Sequence, residues 1–76
     1  MSGVFQTSDT ILISTLEFTL IGGVLLTPIG NYDDLFLQYS VQNVTNNEFT
    51  ANIKVYDETL TKTNRSITMR WFAWGR

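Results

Sequence analysis

The sequence predicts an all-β fold, a small antiparallel β-sandwich of five to six strands. Three observations carry that expectation. Apolar and polar residues alternate with a period of two over most of the chain. No stretch sustains i, i+3, i+4 spacing, and Thr, Ile, Val, Phe and Asn stand where helix formers would be needed. Strands of this kind in a single open sheet would leave one apolar face in water, whereas two small sheets packed face to face close a core.

Taken in order, residues 1–10 read as an N-terminal arm with a short edge strand over 3–7, ended by Ser8-Asp9, and residues 11–76 as the core of one domain. Residues 11–20 read as one strand, with Leu12, Leu16, Phe18 and Leu20 on one face and Ile11, Ile13, Thr15, Glu17 and Thr19 on the other. Gly22-Gly23 permits a bend or bulge, and Val24–Thr27 reads as a short buried run. Thr27–Asp34 is dense in turn formers: Pro28 fixes φ, Gly30 and Asn31 tolerate positive φ, and Asp33 and Asp34 can accept from nearby backbone N–H groups. Strands over 35–44 and 48–56 follow, with Asn46-Asn47 a candidate type I′ turn between them.

The register of that hairpin can be worked out. A plain two-residue loop would set Gln42, Ser40 and Gln38 opposite Ala51, Ile53 and Val55, sending one whole face to the wrong side. One extra residue near Gln42-Asn43, or an odd-length loop, repairs it. Val41 then meets Ala51, Tyr39 meets Ile53, Leu37 meets Val55, Gln38 meets Lys54 and Phe36 meets Tyr56. A loop over 57–64 leads to the last strand, 65–75. There Ile67, Met69, Trp71 and Ala73 face the core, and Ser66, Thr68, Arg70, Phe72 and Trp74 face away. Trp71 is therefore expected to be a packing residue.

Composition narrows the function. A chain of 76 residues buries only about 60% of its unfolded surface, and domains this small commonly add disulfides, a metal or a partner. The chain has no Cys and no His, which removes disulfides, thiol nucleophiles, imidazole bases and most transition-metal sites. No spaced carboxylate set suggests a metal, and no cofactor motif is present; self-association is the remaining device. The net charge of −2 argues against a nucleic-acid partner. No apolar run reaches membrane-spanning length, and the start Met1–Phe5 has no basic or apolar signal region, so membrane insertion is not expected and no signal peptide is visible. Both ends are expected to be tied down by contacts.

Few residues suggest a site. Asp33, Asp34, Glu48, Asp57 and Glu58 all fall in or beside turns, where carboxylates serve the backbone and solubility, so a catalytic pair is not expected and the chain reads as non-enzymatic. Asn43-Val44-Thr45 and Asn64-Arg65-Ser66 match the glycosylation sequon, but in an Asn/Thr-rich chain without a signal region they read as chance. Phe36, Tyr56, Phe72 and Trp74 point away from the expected core, with Arg70 on the same side of its strand. They suit either an interface with another subunit, where aromatics and Arg are enriched, or a platform for a sugar ring.

From Leu16 to Gly75 the chain resembles the H-type lectin domain. The run Gly23-Val24-Leu25-Leu26 precedes a polar loop with Asp33-Asp34. Val41–Phe49 is similar to the family's V-x-N-V-T-x-x-G-F hairpin, with Glu48 at the glycine position. Trp71-Phe72-Ala73-Trp74-Gly75 is similar to its W-I-A-x-G ending. The resemblance implies a small β-sandwich that assembles as a homotrimer, with glycans bound at clefts between subunits and a frequent place in phage tail fibres and other virion parts. On that basis the expected function is a structural or recognition component of a virion (tail, fibre or capsid decoration), contacting other virion proteins. The alternative is a free carbohydrate-binding lectin that takes a cell-surface glycan. The place expected is a virion, the alternative a soluble cytoplasmic or extracellular one. The residues expected at a sugar site are Asn31, Asp33, Asp34, Arg70 and Trp74, with no metal.

Overall fold

The computed structural model describes residues 1–76 and contains six strands and no helix: β1 (Ser2–Thr7), β2 (Thr10–Ile13), β3 (Ile21–Ile29), β4 (Phe36–Gln42), β5 (Phe49–Tyr56) and β6 (Ile67–Gly75). They form two antiparallel three-stranded sheets, sheet A in the order β1-β6-β3 and sheet B in the order β2-β5-β4. Only the β4–β5 connection stays within one sheet; every other connection crosses between the two, which makes the molecule a β-sandwich. No helix is long and apolar enough to cross a membrane.

The core belongs to the two middle strands. Phe49, Ala51, Ile53 and Val55 of β5 and Ile67, Met69, Trp71 and Ala73 of β6 are all buried, joined by Phe5 and Leu16. Period-two alternation sends each of these side chains inward, and a middle strand is flanked on both edges, so its inner face is the most completely covered. Phe49 meets Trp71 edge to face, with ring centroids 5.6 Å apart and planes at 65°, the geometry the aromatic quadrupole favours. Both chain ends are held on sheet A. The Met1 amine donates to the Ala73 carbonyl at 2.9 Å and Ala73 N–H donates to Met1 O at 2.8 Å. Arg76 and Leu20 exchange backbone hydrogen bonds beside the start of β3.

The β4–β5 hairpin has the expected register, from Phe36 opposite Tyr56 through Leu37–Val55, Gln38–Lys54 and Tyr39–Ile53 to Val41–Ala51. The extra residue lies where the register required it. Asn43 takes φ of 55°, and Asn43 and Val44 together stand opposite Phe49. The turn beyond it is not type I′, because neither Asn46 nor Asn47 has positive φ. Instead Thr45 N–H donates to Glu48 O at 2.8 Å, and the Thr45 hydroxyl accepts from Asn47 N–H at 3.2 Å and Glu48 N–H at 3.1 Å. The expected irregularity at Gly22-Gly23 is also present, as a register shift between Ile21 and Gly23.

Three further expectations are corrected. Residues 11–20 are not one strand, since β2 ends at Ile13. Ile11 and Ile13 face the core while Leu12 is exposed, yet Leu16 is buried and Phe18 packs against the core. The inward parity changes from odd to even, which no continuous strand allows; the chain is crossing from the edge of sheet B to the edge of sheet A. Along the way Leu16 and Phe18 N–H donate to the carbonyls of Asn47 and Asn46, at 3.1 and 3.0 Å. The Asn46 side chain accepts from Ile21 N–H at 2.9 Å and donates to Thr19 O at 3.0 Å. Second, Val24–Thr27 is not a buried run but part of an alternating edge strand whose Leu25 is exposed. Third, the turn begins at Gly30, because β3 runs through Pro28, which pairs with Met69; an edge strand tolerates a residue with no N–H to donate.

The loop after β5 is organised by one carboxylate. Asp57 Oδ1 accepts from Thr59 N–H at 2.9 Å, the Thr59 hydroxyl at 2.6 Å and Thr61 N–H at 3.0 Å. These bonds, led by that of the Thr59 hydroxyl, hold the Asp57 carboxyl below its ordinary value of 3.8. A depressed folded-state pKa contributes stability that is complete above the unfolded value and fades as pH falls through it toward the folded one. Asp57→Ala is therefore expected to lower the urea midpoint near neutrality and to converge with the wild type in acid, followed from about pH 5 down to about pH 2. A constant gap across that range would refute the assignment. Phe49→Ala, which empties the centre of the core, is expected to cost about 3–5 kcal/mol in urea unfolding followed by circular dichroism.

Candidate functional site

The outward residues divide between two surfaces, the more apolar on sheet A, where Ser2, Gln6, Thr27 and Thr68 also face outward. Sheet A presents Val4 from β1, Leu25 and Ile29 from β3, and Phe72 and Trp74 from β6. Leu25 lies across from Phe72, and the two are 62% and 54% exposed, with Val4 at 56% and Trp74 at 45%. Arg70 sits among them, flanked by Val4 on one side and Thr27 on the other, and its side chain has no carboxylate within ion-pair distance; the single ion pair of the chain joins Arg65 and Asp34. Sheet B presents mainly Thr10, Thr50, Asn52, Lys54, Gln38, Ser40 and Gln42, with Phe36 and Tyr56 together at one end and Leu12 near the other.

Trp74 is held by its neighbours' lack of side chains. One long side of its indole lies along the backbone of Gly22 and Gly23: a Cβ on Gly22 would fall 2.6 Å from Trp74 Cδ1, and one on Gly23 2.5 Å from Cζ2. The bulge at these glycines and the position of the indole are thus one feature. Trp71, by contrast, is buried in the core as expected, its indole resting against Gly3.

The residues expected at a sugar site do not meet within one chain. Asn31, Asp33 and Asp34 lie in the turn after β3, beside the start of β6, since Ile29 pairs with Thr68. Trp74 is six residues further along β6, about 20 Å at strand rise, and Arg70 lies between. The turn residues are engaged locally: Asn31 Oδ1 accepts from Asp33 N–H at 3.2 Å, and Asp34 pairs with Arg65. Tyr32, which the sequence did not single out, anchors this turn by packing against the core and accepting from Thr68 N–H through its hydroxyl at 2.7 Å. A tyrosine inside a turn-forming segment was the available signal. The four expected interface aromatics likewise separate, Phe72 and Trp74 onto sheet A and Phe36 and Tyr56 onto sheet B.

Two open hollows mark the surface. One of about 390 Å³ lies between the Asp34 turn and the Asp57 loop, and one of about 620 Å³ runs along β4. The first is lined by turn carboxylates and hydroxyls, among them Asp57 and Thr59, which are bonded to each other, and the second mainly by amides and hydroxyls of β4 and β5; no three metal-ligating side chains cluster anywhere. The strongest feature is the apolar outer face of sheet A. Gly23→Ala is expected to lift the Trp74 indole off the backbone, increasing acrylamide quenching of tryptophan fluorescence while costing only about 1 kcal/mol, since a half-exposed ring can move aside; unchanged quenching would mean that the glycines do not seat it.

No family model matches the chain, and no curated protein or solved structure matches it.

Proposed function

We propose that this protein is a non-enzymatic, oligomeric structural or recognition module that assembles through the outer face of sheet A, as a homotrimer serving as a virion component. The observation that carries the assembly is the exposure of Val4, Leu25, Phe72 and Trp74 on one face of a sandwich whose other face is largely polar. Contiguous exposed apolar side chains on a soluble chain mark an interaction surface, and a chain of 76 residues is short of core on its own. A threefold axis in front of sheet A gathers the Leu25–Phe72 pairs of three copies into a common apolar centre. Arg70 supplies the kind of cation enriched at such interfaces. The place in a virion rests on the resemblance of the hairpin and the last strand to H-type lectin-like domains.

A second reading, a carbohydrate-binding lectin, is supported by Trp74, a half-exposed indole seated on glycine backbone with an unpaired arginine on the same face. Sedimentation at micromolar concentration tests the first reading. The wild type is expected to sediment as a trimer, and Leu25→Asp with Phe72→Asp to lose that trimer while staying folded; a wild-type monomer that stays folded would sink it. A glycan array with the assembled protein tests the second. Trp74→Ala separates them, through loss of assembly in the first case and loss of glycan binding by an intact oligomer in the second.

A further inference from the structure

The four sheet edges of the sandwich are not equally protected. An open edge offers unpaired backbone N–H and C=O groups to another strand, and proteins blunt such edges with charges, proline, bulges or brevity. The edge formed by β3 has Pro28 and the bulge at Gly22-Gly23. The edge formed by β2 is four residues long. The edge formed by β4, Phe36-Leu37-Gln38-Tyr39-Ser40-Val41-Gln42, has none of these: seven residues in unbroken register with β5, without a charge, a proline or a bulge. Of the remaining edge, β1, the middle inward residue Phe5 is already buried at 8% exposure. The middle residue of β4 is not. Tyr39 shares the inward parity of Leu37 and Val41, which pack against the core, and it lies opposite the buried Ile53, yet it is 44% exposed. The hollow of about 620 Å³ along this strand lies mainly on its outer side, lined by Gln38, Ser40, Gln42, Asn52 and Lys54.

We infer that β4 is a second self-association site, pairing antiparallel with β4 of another copy about a twofold axis through Tyr39, so that the two B sheets join into one six-stranded sheet. The strand is complementary to itself in that register. Tyr39 meets its own counterpart, Leu37 meets Val41 of the other copy, Gln38 meets Ser40 and Phe36 meets Gln42. Inward residues thus meet inward residues and outward meet outward, as the period-two pleat demands. Three of these pairings, aromatic with aromatic, aliphatic with aliphatic, and amide with hydroxyl, are of the kinds that stabilise neighbouring strands; the fourth sets Phe36 across from the Gln42 amide. All seven residues are used; sliding the register by two leaves five paired and sets Tyr39 against Leu37 or Val41. A contact of this kind is isologous and closes at two copies, so it is independent of the sheet A interface and would link two sheet A assemblies side by side, with their A sheets on the same side of the joined B sheet.

The absence of cysteine from the chain allows a clean test. Tyr39→Cys places one thiol per chain on the twofold axis, where facing Cα atoms fall within the range a disulfide spans. Ser40→Cys displaces the two thiols by two residues along the strands, beyond that range. Under mild oxidation Tyr39→Cys is expected to form covalent dimers at least tenfold faster than Ser40→Cys; equal rates, or no dimer from Tyr39→Cys, overturn the pairing. A charge pattern gives a second readout that spares Tyr39. In the Leu25→Asp, Phe72→Asp background, which blocks sheet A, the protein is expected to sediment as a dimer at high concentration. Adding Gln38→Lys with Ser40→Lys opposes like charges and is expected to give a monomer, whereas Gln38→Lys with Ser40→Glu opposes unlike charges and is expected to keep the dimer. A monomer in the blocked background overturns the β4 pairing and leaves the sheet A assembly standing. A wild type that stays dimeric through β4, with no higher assembly, does the reverse.

Discussion

The packing of β5 against β6 holds the whole molecule together. These strands are the centres of their sheets, they supply eight of the ten buried side chains, and Phe49 and Trp71 lock them edge to face. Every other strand is an edge that binds one of the two by backbone hydrogen bonds and covers it with partly buried apolar residues. Because the loop with Asp57 takes the chain from the centre of one sheet to the centre of the other, the strands that form the core follow one another directly in sequence. The remaining elements are arranged around that pair.

This economy has consequences for the surface. A sandwich of two three-stranded sheets has four edges and two outer faces, and with only two central strands a large share of its residues lies outside. Sheet A carries apolar side chains there and sheet B mainly amides and hydroxyls. With so little core, the single chain leaves Val4, Leu25, Phe72 and Trp74 uncovered on sheet A.

Much of the fold was legible in the sequence because period two speaks directly about strands. The inward set Ile67, Met69, Trp71 and Ala73, the register from Phe36 to Gln42, and the extra residue at Asn43 all follow from keeping apolar residues on one side of a pleat. The stretch 11–20 misled because its alternation is nearly regular across a crossover, and the change from odd to even inward positions between Ile13 and Leu16 is visible only once both contact the core. Pro28 misled for a different reason: proline within a strand is excluded from a central position but not from an edge, and edge or centre is a property of the sheet.

By itself, the sequence determined that the chain is all-β, which residues of the last two strands face inward, and how β4 and β5 align. Each of these depends on local alternation and on pairing between neighbours in the chain. Only the tertiary structure decided which outward residues stand together. It separated Phe72 and Trp74 from Phe36 and Tyr56, placed Asn31, Asp33 and Asp34 at the opposite end of sheet A from Trp74, and left Tyr39 half-exposed on an inward position of a free edge. The physical reason is that the company an outward side chain keeps depends on which sheet its strand joins and at which place. Those are set by four crossovers between sheets, and strand periodicity carries no information about them.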